Sequence, residues 1–565
     1  MNTLKSGCVA LLATICSFHV AAQDVQPAHL EKINGTTRLV RNGEPMLMLS
    51  GEFHNSTCST PEAMQRNIQT AKAMGLNSVI ATVSWEQFEP QEGYYDYAQI
   101  DHVIKIAEEA QMPIGLIWFA SYKNGESSYA PLWVKEDTQK YFRAKFADQT
   151  NSTTISPMCR RAMEADAKAF AKLMAHIKET DKQRLVCIVQ VQNEMGAFMD
   201  IDHSEEAQEA FKGQVPLPIM KYMKKHEATL EKRLLKQWND HGKKQTGTWT
   251  EVFGDTDYTK QLFMAYGFSR YANHIAKAGK AAYDIPMYVN CWMADENWEH
   301  HRYPNGGPRS IVMDIYKAYA PSIDIISPDI YVDNVRDIFH EYHRTDNPLF
   351  IPEIKREAGP AYYAFAETNA ICYAPFGFEE TYDDPYFIGE YKTLGELLPT
   401  ISQYQGTGKM HGFIRQNGVD KPDSQAQLQF GKYTFDVHFI AGEKYAHGLA
   451  IQIADNEFIV AGVGCYIEFA TRNTEETCKV AYAEEVTWKD NKWSTLFVLN
   501  GDETGHHNML YLRGRMPNPD ISYEGKNVPG PLFRPSYQRM HVSAWQNRYK
   551  VSGIYRIKLY TYPKK

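Results

Sequence analysis

Two glutamates stand where apolar runs give out. Leu185–Val191 leads into Gln192-Asn193-Glu194-Met195-Gly196, and Leu349–Ile351 leads into Pro352-Glu353-Ile354-Lys355. The two carboxyls are 159 residues apart in sequence. If both runs are strands of one parallel barrel, the carboxyls face each other across its mouth, because catalytic groups in such barrels sit at the C-terminal strand ends. Two carboxyls flanking a bond are what retaining glycoside hydrolysis requires. One protonates the leaving oxygen and later deprotonates water, while the other attacks the anomeric carbon. A single strand-end glutamate has a simpler explanation, as a helix cap or a partner of Lys355 or Arg356. It is the pair that points to chemistry.

The elements that position them are legible as alternating βα units from about Met46 to Phe376. The expected strands are Met46–Ser50, Ser78–Thr82, Pro113–Trp118, Leu185–Val191, Met287–Cys291, Ile323–Ile326, Leu349–Ile351 and Ile371–Ala374. Their near-continuous hydrophobicity suits parallel strands buried on both faces. Between them lie amphipathic helices. One opens with Ser59 or Thr60 as N-cap and Pro61 at the first helical position, buries Met64, Ile68 and Ala71, and stops at Gly75. Others bury Ile100, Val103, Ile104 and Ala107, and Phe170, Leu173, Met174 and Ile177. Eight such units predict an α/β fold, a (β/α)8 TIM barrel with insertions, with a doubly wound sheet as the alternative. The longest insertion, Gly213 to His241 and onward, follows the fourth strand; it either shapes a cleft or decorates the barrel. After about Leu398 short alternating runs such as Tyr433–Ile440, Glu457–Val463 and Tyr555–Tyr562 predict an all-β, sandwich-like domain, with Gly514 to Pro535 as a long loop. The expected division is 1–22 signal peptide, 23–400 barrel and 401–565 β domain.

Composition excludes several classes. The chain has 565 residues with 60 Lys+Arg against 68 Asp+Glu, a net charge of −8, which argues against sequence-independent nucleic-acid binding. At 43% hydrophobic and 23% charged it is ordinary for a globular protein. Lys5 followed by the short apolar run Val9–Cys16 and by Val20-Ala21-Ala22 reads as a cleaved export signal, with Gln23 as mature start and a periplasmic or secreted location. No later run is long enough for a membrane helix, so no membrane insertion is expected. Beyond Cys8 and Cys16, seven cysteines remain, without the spacing of a zinc site; Cys187, Cys291 and Cys372 lie in apolar runs as buried thiols do. His340-Glu341-Tyr342-His343 lacks helical zinc spacing, and no glycine cluster carries the Lys-Ser/Thr of a phosphate loop. Neither metal nor organic cofactor is expected.

Several stretches carry a family resemblance. Leu49-Ser50-Gly51-Glu52-Phe53-His54, then Ala73-Met74-Gly75-Leu76-Asn77-Ser78-Val79, then Val83-Ser84-Trp85-Glu86-Gln87-Phe88-Glu89-Pro90-Gln91-Glu92-Gly93-Tyr94-Tyr95-Asp96 resemble the start of family 35 glycoside hydrolases. Gln190-Val191-Gln192-Asn193-Glu194-Met195-Gly196 matches that family's Gln-x-x-Asn-Glu-x-Gly motif. The resemblance implies a retaining β-galactosidase on a (β/α)8 barrel, with Glu194 as general acid/base oriented by Asn193, and Glu353 as nucleophile. It further implies that Tyr331 hydrogen-bonds the nucleophile and favours its ionised form, and that the C-terminal part is the β domain of a bacterial subgroup. The chain departs from the commoner pattern at Thr82, where many members have a sugar-contacting tyrosine, and at Trp118-Phe119-Ala120-Ser121-Tyr122-Lys123-Asn124, whose Trp-Phe pair is closer to the related family 42. Those loops hold the sugar, so the preference for galactose rests on less than the two-glutamate mechanism does.

Other strand ends supply sugar-contact candidates: Glu52 and His54 after the first strand, Trp118 at the end of the third, Asn290 and Trp292 at the fifth, and Trp85 beyond the second. Trp85 and Trp118 have an alternative as plain core, and His54 as a loop histidine bonded to its surroundings. The expected partner is a carbohydrate substrate, with oligomeric state left open. Two rivals share the features above: a non-catalytic glycan-binding barrel, and an exo-hydrolase for another β-linked sugar such as a glucosaminide or arabinoside.

Overall fold

In the computed structural model the described residues are 26–565, except 294–298, 300, 301, 417–421, 441–445, 502, 506 and 514–551. The expected signal peptide, residues 1–22, and the expected loop 514–535 lie outside the described residues.

Eight parallel strands form one sheet: Met48–Leu49, Val79–Ser84, Ile114–Lys123, Val186–Asn193, Met287–Trp292, Ile325–Ile330, Phe350–Ile354 and Cys372–Pro375. From the second strand to the eighth each pairs with its neighbour in sequence, and the first pairs with the eighth. The ring closes beyond Leu49, where Glu52 bridges both Ile80 and Phe376, and Ile80 N–H reaches Gly51 O at 2.9 Å. A doubly wound sheet would reverse its order at a switch point; sequential neighbours and closure make this a (β/α)8 barrel. Side chains alternate along each strand. Val79, Ala81 and Val83, and likewise Leu116, Trp118 and Ala120, join the core shared with the helices. Ile80, Ile117, Phe119, Ile188, Tyr288, Ile325 and Phe350 form a separate inner cluster that fills the lumen.

The helices follow the local signals. In Pro61–Met74 the Thr60 Oγ1 accepts from Ala63 N–H at 3.3 Å, and the helix ends on Gly75 at φ 96°, a left-handed conformation that glycine adopts without steric cost. The region after the fourth strand holds helices Glu205–Lys212, Leu217–Lys225, Lys232–Asp240 and Trp249–Phe253 before the long barrel helix Asp257–Ala282.

Ahead of the barrel, strands His29–Ile33, Thr36–Arg41 and Glu44–Met46 form an antiparallel sheet that sequence reasoning missed. Both turns are two-residue Asn-Gly pairs, Asn34-Gly35 and Asn42-Gly43, with all four φ values positive. That is the strongest short-range hairpin signal a sequence carries. Arg41 donates to Arg184 O and Gln183 O, tying the sheet to the loop that enters the fourth strand.

Among the described residues, nine antiparallel strands make the C-terminal domain, from Met410–Ile414 to Ile554–Pro563. The 15-residue strand Glu457–Thr471 changes partners around Val463–Cys465. Its first half pairs with His447–Ala454 and Ile554–Pro563, its second with Tyr433–Phe439 and Met509–Arg513, around a core of the domain's own that includes Phe435, Phe458, Ile467 and Leu559. The domain also packs on barrel helices Gly359–Glu367 and Pro385–Tyr404: Thr393 Oγ1 donates to Ser552 O at 2.8 Å, and the buried His447 meets Glu390 at 3.1 Å. All seven cysteines among the described residues are free and buried. No helix among them is long and apolar enough to cross a membrane.

Candidate active site

The fourth strand delivers its glutamate through two left-handed residues, Gln192 at φ 67° and Glu194 at φ 44°. Such conformations cost about 1–3 kcal/mol each for a side chain with Cβ and persist only where the surroundings enforce them. The Gln192 carboxamide accepts from Tyr122 N–H at 2.9 Å and donates to Asp166 at 2.8 Å. Asp166, fully buried on helix Arg160–Thr180, also takes the Trp118 indole N–H at 2.8 Å and the Ser121 hydroxyl at 2.6 Å. Burial pushes its carboxyl up to about 6, against the pull of the Ser121, Trp118 and Gln192 bonds. Gly196, at φ 148°, lies so close to Pro304 that a Cβ would fall 2.4 Å from its carbonyl, so only glycine fits the exit from the strand.

Between these supports, Asn193 and Asn290 interlock. Asn193 Oδ1 accepts from Gln190 Nε2 at 2.9 Å and from Asn290 Nδ2 at 3.1 Å, and its Nδ2 donates to Asn124 at 3.2 Å. Asn290 Oδ1 takes the Glu194 N–H at 3.0 Å, and its Nδ2 also reaches Asp329 at 2.7 Å. Asn290 therefore links the fourth, fifth and sixth strands at one level. Asp329 is in register with Trp292 on one side and Glu353 on the other. Parallel partners lie roughly 4.8 Å apart across the sheet, so their side chains share one layer of the mouth.

Four carboxyls, Glu52, Glu194, Asp329 and Glu353, gather there, and all are buried. Tyr331, which remains 47% exposed to the mouth, donates its hydroxyl to Glu353 Oε1. Glu353 Oε2 and both oxygens of Glu52 are buried with no hydrogen-bond partner. Unpaired buried carboxylate oxygens are expensive unless a ligand or proton satisfies them. Burial and then the Glu353 charge push Glu194 up to about 8, while Lys123 pulls it down. Burial raises Glu353 too, but Lys123 and the Tyr331 bond oppose the rise. Glu52 and Asp329 are held well above the carboxylate range, by burial first and then by the charge of Glu353. All four carboxyls are thus raised by burial, but at Glu353 Lys123 and the Tyr331 hydroxyl oppose the rise, whereas at its three neighbours the Glu353 charge adds to it.

Of the sequence candidates, Glu52, Asn193, Glu194, Asn290, Tyr331 and Glu353 come together at the mouth. Trp292 joins them, half-buried, with its ring edge-on to Phe198 at 6.1 Å. Trp118 and Trp85 are corrected. Trp118 is fully buried on the helix-facing side of its strand, bonded to Asp166 and packed near Phe170 and Phe88. The strand runs on to Lys123, so Trp118 is not its end. Trp85 begins a short helix, gives its indole N–H to Glu89 at 2.8 Å and packs against Trp133, also fully buried. His54 lies beside the mouth, paired with Glu380 at 2.7 Å and edge-on to Phe376, which is the loop-histidine alternative. Asp329, Lys123 and Asn124 were missed. The signal for Asp329 was a lone acid just beyond the run Ile323–Ile326 and followed by Ile330, where an unpaired charge has no reason to be buried. Among the described residues no group of three His, Cys, Asp or Glu side chains is arranged to hold a metal.

Residues 38–263 match the family model of glycosyl hydrolases family 35, and residues 387–510 match a domain of unknown function, DUF5597. A β-galactosidase of Xanthomonas manihotis is 28% identical over 173 residues, covering 30% of this chain and 27% of that protein. A β-1,2-glucosyltransferase of Ignavibacterium album is 25% identical over 183 residues, 29% of this chain and 25% of that one. The chain thus spans about a quarter of the length of these curated relatives. The crystal structure of a β-galactosidase from Bacillus circulans sp. alkalophilus superposes with a TM-score of 0.43 at 16% identity, covering 63% of this chain and 57% of that one.

Proposed function

We propose that this chain, a member of the β-galactosidase-like family 35 of glycosyl hydrolases with an additional C-terminal domain, removes terminal β-galactosyl groups from oligo- or polysaccharides with net retention. Glu353 is the nucleophile. The Tyr331 hydroxyl and the nearby Lys123 favour its charged form, so an ionised oxygen is available to the anomeric carbon. Glu194 is the acid/base: held protonated to about pH 8, it gives its proton to the departing oxygen, then takes one from the water that releases the sugar. The observation that carries this reading is the asymmetry within one buried carboxyl cluster, a tyrosine-braced Glu353 beside a Glu194 biased to hold its proton.

Glu52 is the main sugar ligand in this account. Its two unpartnered oxygens, sealed in the barrel, match hydroxyl donors of a bound pyranose. Asn193 and Trp292 complete the contacts, the latter by stacking on an apolar sugar face. The related β-galactosidases support galactose. Thr82, whose hydroxyl is turned to Asn55 O at 3.0 Å, leaves specificity to fewer contacts. Export to the periplasm or medium is part of the proposal and rests on the composition of residues 1–22; N-terminal sequencing of the mature protein tests it.

A panel of nitrophenyl glycosides tests the function. Preferential turnover of the β-galactoside over the β-glucoside and β-N-acetylglucosaminide is expected, with free galactose as product. Equal or faster turnover of either competitor rejects galactose as the specific sugar, and no turnover of any glycoside supports the glycan-binding alternative.

A further inference from the structure

Asp329 has no part in the two-carboxyl mechanism, yet it is 1% exposed and in strand register with Glu353. Its Oδ2 is taken by the Asn290 amide at 2.7 Å, while its Oδ1 receives no donor. The same side chain lies at hydrogen-bonding range of the Glu194 carboxyl. Two carboxyls hydrogen-bond only when one of them holds a proton. With Oδ2 already accepting, the proton belongs on Oδ1. We propose that Asp329 is a positioning residue that stays protonated and donates to one oxygen of Glu194, so that the other Glu194 oxygen is the one presented to the leaving group. The proposal rests on the glycosidase reading above and deepens it.

The surroundings favour that proton. The groups facing Asp329 are Glu52 from the first strand, Glu194 from the fourth, Cys291 and Tyr288 from the fifth, Tyr331 at the end of its own strand and Glu353 from the seventh. Lys123, from the third, acts on Glu194 and Glu353. Burial and then the Glu353 and Glu194 charges raise Asp329 well above its ordinary range. No bond is made or broken at Asp329 itself; its proton stays in place through both steps. When Glu194 has delivered its proton and become an anion, the Asp329 hydroxyl and the Asn290-held backbone keep it aimed for the incoming water.

The test uses the full chain with Asp329→Asn and Asp329→Ala. Infrared difference spectroscopy at neutral pH, wild type minus Asp329→Asn, is expected to show a protonated-carboxyl stretch; no such band overturns the proposal. Asn keeps a donor toward Glu194, so Asp329→Asn should stay within roughly threefold of wild type with an unchanged pH profile. Asp329→Ala should lose about ten- to a hundredfold on a β-galactoside with a poor, alkoxide-like leaving group, which needs the acid. It should lose far less for glycosylation by a dinitrophenyl β-galactoside, and azide should restore turnover with a product of retained configuration. Equal losses on both substrates, the mark of a plain sugar contact, or no loss on either, overturn the assignment. Melting curves ensure that both variants are folded. Failure of Glu353→Ala to abolish turnover would sink the glycosidase reading while leaving the infrared result intact, so the two failures are distinguishable.

Discussion

Replacing Glu194 with Gln should make the protein more stable at neutral pH while removing its acid/base function. Burial first, and then the Glu353 charge, lift the Glu194 carboxyl from 4.5 to about 8. In the unfolded chain it returns to the ordinary value, about 4.3. Between these values the folded protein holds a proton that the unfolded chain has released. Stability therefore falls as pH rises through this window, by up to about 1.4 kcal/mol per unit. By pH 7 roughly 2.7 units of the window have been crossed, a burden of about 3–4 kcal/mol that Gln does not carry. Coupling to Glu353 shares that burden, so the expected gain is about 2–3 kcal/mol near pH 7, shrinking below about 1 kcal/mol near pH 5. Thermal and urea melts of both proteins at acid, neutral and mildly alkaline pH measure it. A Glu194→Gln protein no more stable than wild type at neutral pH, or a gain that does not grow with pH, would refute the reasoning.

Other expectations follow from the same geometry. The plot of kcat/KM against pH should fall on the alkaline side near pH 8, where Glu194 loses its proton, and on the acid side as Glu353 gains one; a basic limb below pH 6 would contradict the assignment. Trp118→Phe should lower stability by about 1.5–3 kcal/mol through the lost bond to Asp166, with KM within about twofold; a large rise in KM would restore Trp118 as a sugar contact. Glu52→Gln should cut kcat/KM roughly ten- to a hundredfold by mismatching sugar hydroxyls and should fold as well as wild type or better; unchanged kinetics would remove Glu52 from the site.

The barrel was legible because strands buried on both faces read as unbroken apolar runs, and each of the eight expected runs overlaps an observed strand. Their ends were not. Burial of the lumen continues past the last obvious hydrophobe, so the third strand reaches Lys123 and Trp118 falls on its helix-facing side rather than at its tip. Period-two alternation among Leu116, Trp118, Ala120 and Tyr122 carried that information. Glu194 and Glu353 stood out as carboxyls just beyond apolar runs. Asp329 did not, because Ser327 and Pro328 separate it from the run Ile323–Ile326, and its meaning emerges only when Asn290 and Glu353 are brought beside it by strand register. The N-terminal hairpins were written in two Asn-Gly pairs. Partner exchange within Glu457–Thr471 has no local signature, because it depends on which distant strands reach each half.

Net retention through Glu353 requires a covalent bond from its carboxylate to the sugar. Incubation with a 2-deoxy-2-fluoro-β-galactoside carrying an activated leaving group, followed by proteolysis and mass spectrometry, tests it most directly. Time-dependent inactivation is expected, with one fluorogalactosyl adduct on the carboxyl of Glu353. An adduct on Glu52, Glu194 or Asp329 instead, or turnover of β-galactosides with inverted configuration and no adduct, would contradict it.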